Sequence, residues 1–138
     1  MVAYSFKAQF AEPIITLEKR QTVRRLRKRH ALPGEAVQLY TAMRTRHCRK
    51  LLDRDPVCKD VRRIDITIAG DHPELIASIA VEGLALDDAE IETFAWDDGF
   101  RPMADGSSAR HHMGWFWLNS HGTGLFEGVV IRWEPRLG

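Results

Sequence analysis

Cysteine is scarce in this chain. Cys48 and Cys58 are the only two, too few for a disulfide framework, and a lone pair of thiols reads as reduced and cytoplasmic. Long apolar runs are missing as well. No stretch reaches the ~18 residues that a membrane helix requires, and the opening Val2-Ala3-Tyr4-Ser5-Phe6-Lys7 has no hydrophobic signal core, so no membrane partner is expected. There is no Gly-rich phosphate loop, dinucleotide fingerprint or Ser-His-Asp pattern, which argues against a nucleoside triphosphatase or a dehydrogenase. His47-Cys48 with Cys58, and the pair His111-His112, lack the paired short spacing of a structural zinc site. No metal and no cofactor are expected. Repeats, low-complexity tracts and Gly/Ser linkers are also absent, so the 138 residues read as one domain over 1–138. A chain of this size buries about two-thirds of its unfolded surface without covalent staples.

What is present is a chain of ordinary globular composition, 44% hydrophobic and 28% charged, which excludes a disordered or fibrous protein. The net charge of +1 hides an asymmetry. Residues 1–63 hold 16 Lys/Arg against 6 Asp/Glu, a balance of +10, and residues 64–138 hold 4 against 13, a balance of −9. Such a division points to a polyanionic partner for the basic half. The alternative is a fold that interleaves the halves so that the charges neutralise.

Hydrophobic periodicity gives the elements. Residues 4–10 alternate Tyr4, Phe6, Ala8 and Phe10 against polar neighbours, predicting a strand, and Pro13 opens a short helical turn with Ile14, Ile15 and Leu17. Thr22 and Val23 return to extended chain, and the run from Arg24 to Arg29 reads as an exposed loop or helix edge. Leu32-Pro33-Gly34 is a turn. Strands are predicted over 36–42, 61–69, 75–82 and 125–133. A helix begins at Asp87 or Asp88 and ends at Asp97-Asp98-Gly99, with Gly99 as a left-handed cap. A second helix covers 111–121, with Trp115, Phe116 and Trp117, like Trp133, assigned to the core or half-buried. This mixed order predicts an α+β protein on a curved mixed sheet or barrel.

Lys19, Thr22 and Arg24 stand at spacings of three and two. In extended chain Thr22 and Arg24 share a side, and a cation, a hydroxyl and a guanidinium together suit a phosphate or a polar carbonyl. A solvated basic loop is the plainer reading. The pattern Lys-x-x-Thr-x-Arg, after an apolar helical turn and before Pro33-Gly34-Glu35 and the strand Val37-Gln38-Leu39-Tyr40, resembles the ASCH domain family. Ala95-Trp96-Asp97-Asp98-Gly99-Phe100 resembles that family's helix end, and Phe126 to Trp133 its closing strand. Leu17 departs from the pattern, since the family has glycine there.

The resemblance implies a PUA-like fold, a small mixed β-barrel with short flanking helices, and a protein that binds RNA or another nucleic acid. It also implies an alternative. Some relatives are amidohydrolases that deacetylate N(4)-acetylcytidine with a Lys, a Thr and a Glu, which fall here on Lys19, Thr22 and Asp98. A threonine hydroxyl needs a neighbouring base, and a lysine whose pKa is lowered by burial or by cations such as Arg20 and Arg24 can serve. Asp98 is one methylene shorter than Glu, and Asp97 or Glu82 are alternatives for the carboxylate. A third option, ribonuclease activity, is reported for other relatives, but no separate nuclease motif is found.

Two basic clusters extend the nucleic-acid reading. Arg24, Arg25, Arg27, Lys28 and Arg29, joined by Arg20, lie on one side of the predicted strand 36–42. Arg44, Arg46, Arg49 and Lys50 lie on the other. Cations that neutralise phosphates give affinity through counterion release, and Tyr40, between the clusters, is placed to stack on a base. The expected partner is RNA or a nucleoside, with the oligomeric state undetermined.

Overall fold

The structure is a computed structural model, and it describes residues 2–136. The elements are β1 (Val2–Phe6), a 3-10 turn (Ala8–Phe10), α1 (Ala11–Ile15), β2 (Gln21–Arg25), β3 (Val37–Thr41), β4 (Arg49–Lys50), β5 (Val57–Ile68), β6 (Ile76–Val81), β7 (Leu84–Ala85), α2 (Asp88–Asp97), α3 (Ala109–His121) and β8 (Gly124–Glu134). This is the expected α+β class. The strands hydrogen-bond in two orders, β1-β3-β4 and β2-β8-β5-β6-β7. Neither order returns to its first strand, so the described residues form two open sheets and no closed barrel. No helix among them is long and apolar enough to cross a membrane.

The chain forms two compact units, each assembled from separated stretches. The first comprises Met1–Thr22, Arg27–Val61 and Ile131–Gly138, and the second Val23–Leu26 and Arg62–Val130.

In the first unit, β1 runs parallel to β3 from Val2↔Val37 to Phe6↔Thr41. Alternate residues Val2, Tyr4 and Phe6 are buried, as a half-buried strand requires. The strand is shorter than the predicted 4–10. Phe6↔Thr41 is its last pair, and Ala42 then turns β3 away with a left-handed backbone, φ 52°. A strand without a neighbour has no ladder to join, so Ala8–Phe10 instead coil into a turn closed by the Phe10 amide on the Lys7 carbonyl at 3.0 Å. Phe10 stays buried. The two-residue β4 pairs antiparallel with β3, Lys50 facing Tyr40 and Arg49 facing Thr41. Trp133 is buried edge-on to Phe6, ring centroids 6.2 Å apart. Among the described residues its indole N–H has no hydrogen-bond partner.

In the second unit, β5 and β6 pair antiparallel through Ile64↔Val81 and Ile66↔Ile79. The β6–β7 hairpin turns on Glu82 and Gly83, both left-handed at φ 51° and 78°, the conformation a two-residue primed turn needs. Asp87 and Glu90 form a reciprocal capping box at the start of α2, which fixes the helix start that the sequence left between Asp87 and Asp88. Asp98 caps its end, and Gly99 follows at φ 99°. The next helix, α3, begins two residues before its predicted start. Ser108 Oγ accepts the His111 amide at 3.0 Å, and the Glu92 carboxylate accepts the Ala109 and Arg110 amides at 3.0 and 2.8 Å. A carboxylate at a helix N-terminus also meets the favourable end of the dipole. The buried Arg110 guanidinium donates to the Ile76 carbonyl and to Asp88, tying α3 to β6. Trp115 departs from its core assignment and is exposed on α3, while Trp117 is buried.

Candidate nucleic-acid interface and buried motif residues

The segment after α1 places Lys19. The amides of Glu18 and Lys19 both donate to the Pro13 carbonyl at 2.9 Å, and between them and the helix Leu17 takes a left-handed backbone, φ 67°. This is the position where the resembled pattern has glycine, the residue that adopts such a φ without steric cost. The reversal carries the Lys19 ammonium over the rings of Phe10 and Phe6, 4.9 and 5.7 Å from their centroids. Lys19 is only 2% exposed, and a desolvated cation over an aromatic face gains about 2 kcal/mol. Arg20 turns outward, its Nε donating to the Leu17 carbonyl at 2.8 Å, while its own carbonyl accepts the Trp133 amide at 2.9 Å. The strand β2 then begins with Gln21 and Thr22, both buried.

Lys19 and Thr22 belong to the first unit, and Arg24, Arg25 and Asp98 to the second. Thr22 and Asp98 are each 5% exposed. The three motif residues selected from sequence are thus among only five buried polar side chains of the described residues, with Gln21 and Arg110 the others. Gln21 was not singled out by the sequence. Its only signal is its place inside the motif. Asp97 is exposed. Glu82 is committed to its hairpin, where its carboxylate accepts the Arg63 amide at 3.0 Å.

The basic residues divide by what they touch. Arg24 is half-buried on β2, and Arg25 is exposed and donates to His121 Nδ1 at 3.2 Å. Arg27 lies over the Tyr4 ring, 4.9 Å from its centroid, and bonds the Arg29 carbonyl. The buried Tyr4 also bonds His30 Nδ1 and the Ala31 amide through its hydroxyl, at 3.0 and 3.2 Å, so this stretch of the basic segment is pinned to β1. Arg29 forms a forked pair with Glu35. That hydrogen bonding holds the Glu35 carboxyl far below its ordinary 4.5, at about 2. Lys50 pairs with Asp55 at 2.9 Å, which raises its pKa. Burial raises the Cys58 thiol, consistent with a structural rather than a reactive cysteine.

Lys28, Arg44, Arg46 and Arg49 remain. All four are exposed, and none has a carboxylate partner among the described residues. Tyr40, half-buried on β3, sits between Ser5 and Lys50 in the sheet. All five belong to the first unit. That unit holds 14 Lys/Arg against 7 Asp/Glu, a balance of +7, and the second holds 6 against 12, a balance of −6.

Among the described residues no group of three or more His, Cys, Asp or Glu is placed to hold a metal ion. No family model, curated protein or solved structure matches the chain.

Proposed function

We propose that the first unit binds single-stranded RNA through its phosphates, with a base or nucleoside read beside its Lys19-x-x-Thr22 segment. The observation that carries this reading is a set of exposed cations, Lys28, Arg44, Arg46 and Arg49, with no carboxylate partner among the described residues, in a unit of net charge +7. Arg27, Arg29 and Lys50 shape the surface more than they contact the strand, because each is already engaged within the protein. Tyr40 offers a stacking face beside Arg49 and Lys50, and stacking on aromatic side chains is how single strands are read. A PUA-like relationship of the ASCH type and a cytoplasmic address belong to the same proposal. Their support is the order of the motifs along the chain and the two free thiols.

The test is the salt dependence of binding to a short single-stranded RNA. Four phosphate contacts give a log–log slope near −3, at roughly 0.7 per phosphate, and each of Arg44→Ala and Arg49→Ala removes about 0.7 of it. A slope near zero overturns the reading.

A second reading, deacylation of N(4)-acetylcytidine or a similar nucleoside, is favoured by the burial of Lys19 and Thr22, both in the first unit. In it Thr22 Oγ attacks the acyl carbonyl and gives its proton to neutral Lys19. The nucleoside amine leaves with a proton, and water then releases the acid from the acyl-threonine. Desolvation favours the neutral amine and the two phenylalanine faces favour the ammonium, so the pH–rate profile reports which prevails. Thr22→Ala is expected to lower acetate release by orders of magnitude and leave RNA affinity unchanged. Absence of acetate release by the unsubstituted protein ends this reading and leaves the first intact.

A further inference from the structure

The sheet β1-β3-β4 turns one face to the core of the first unit and the other away from it. Val2, Tyr4 and Phe6 on β1, and Val37 and Leu39 on β3, are buried. The alternate residues Ala3, Ser5, Gln38 and Tyr40 are half-buried, and strand alternation puts them together on the opposite face. The register aligns them in rows. Ala3 pairs with Gln38, and Ser5 with Tyr40, which pairs in turn with Lys50 on β4. Residues paired across strands share a face. This face therefore carries one aromatic ring, one primary amide and one ammonium, flanked on β1 by nothing larger than serine.

Two of these groups are uncommitted. Lys50 is paired with Asp55 at 2.9 Å. The Gln38 side-chain amide and the Tyr40 hydroxyl have no hydrogen-bond partner among the described residues. Strand positions favour β-branched and aromatic residues, so sheet formation alone does not call for an amide at 38. One end of the face adjoins the basic β3–β4 loop. Ser5 Oγ accepts the Met43 amide at 3.4 Å, and the chain continues through Arg44 and Arg46, both exposed. Thr45 closes this loop, its amide and hydroxyl donating to the Ala42 carbonyl at 3.2 and 2.7 Å.

We propose that this face reads base identity in single-stranded RNA, one base stacking on Tyr40 and the Gln38 amide hydrogen-bonding the edge of the base beside it, with adenine preferred. Charge and chemistry select the occupant. The face lies in the unit of net charge +7, with exposed arginines at its end, so its ligand is a polyanion. A ring and an amide add little to phosphate binding, but they match the planar face and the polar edge of a base. Gln38 and Tyr40 stand two residues apart on one strand, roughly 7 Å, which suits neighbouring nucleotides of an extended chain. An amide joins a donor to an acceptor, and adenine offers the matching pair on both its Watson–Crick and Hoogsteen edges. The inference rests on the RNA reading above and adds a selectivity that phosphate contacts cannot supply.

Fluorescence anisotropy of labelled hexaadenylate and hexauridylate, titrated with the full chain, tests this. Hexaadenylate is expected to bind about tenfold tighter, and Gln38→Leu to bring the two within about twofold. Tyr40→Leu is expected to weaken both oligomers about tenfold, and Tyr40→Phe, which keeps the ring, to leave both unchanged. Circular dichroism checks the fold of each variant, and if Tyr40→Leu does not fold, Gln38→Leu still decides. Equal affinities for the two oligomers, a preference that persists in Gln38→Leu, or affinity indifferent to Tyr40→Leu overturns the proposal. In each of those cases a salt slope that Arg44→Ala reduces keeps the phosphate reading. No binding by either oligomer overturns both. Displacement of hexaadenylate by hexaglutamate at equal concentration also overturns the proposal, the face then being a general polyanion surface.

Discussion

Leu17 carries the most information at the scale of the residue. Its left-handed backbone, φ 67°, costs an L-residue roughly 1–2 kcal/mol, and glycine relieves that cost while losing a half-buried side chain. Leu17→Gly is expected to raise unfolding stability by about 1 kcal/mol in chemical denaturation, and a loss of stability would show that the leucine contacts outweigh the backbone. In the sequence this position reads as part of the apolar helical turn and as a departure from a pattern, because no local propensity announces a left-handed leucine; the helix ends at Ile15. Glu35 titrates below its ordinary value because Arg29 bonds it. A depressed carboxylate contributes stability that is fully present above the unfolded value. It is lost as pH falls from 4.5 through about 2. Thermal melts across that window should show a steeper acid limb for the unsubstituted protein than for Glu35→Gln. Equal limbs would mean that the forked pair contributes nothing.

At the scale of the element, α3 and the start of β6 approach so closely that only glycine fits between them. A Cβ on Gly114 would lie 2.7 Å from Leu75 Cβ and 2.8 Å from the Glu74 carbonyl oxygen. Gly114→Ala gains up to about 1 kcal/mol of helix propensity but forces backbone apart, an overpacking cost of about 1–3 kcal/mol. A lower melting temperature with helicity retained by circular dichroism is expected, and a rise would show that the segment yields easily. Elements whose signals are local were readable from residue types alone. The predicted bounds of β3 and β6 lie within a residue of those observed, and the pair Asp87 and Asp88 marked a helix start. Elements defined by their neighbours were not readable. Ala8 and Phe10 keep the strand alternation but lose their pairing partner, and β4 and β7, two residues each, exist only because β3 and β6 offer them an edge.

For the whole molecule, the charge asymmetry along the chain survives folding as a division between two units, +7 and −6. The division was legible from a count, whereas its boundaries were not, because each unit gathers stretches far apart in sequence. Which cations stay available was equally hidden, since Arg29 and Lys50 look like Arg44 and Arg49 until Glu35 and Asp55 are seen beside them. The burial of Trp133 has an optical consequence. It is the only tryptophan of the first unit, and Trp96, Trp115 and Trp117 all fall in the second. Each unit therefore carries its own fluorophore. A protein retaining only Trp133 emits from the basic unit with a blue-shifted spectrum, and one lacking it emits from the acidic unit. Following both through a denaturant titration reads directly whether the halves melt as one cooperative body or in succession.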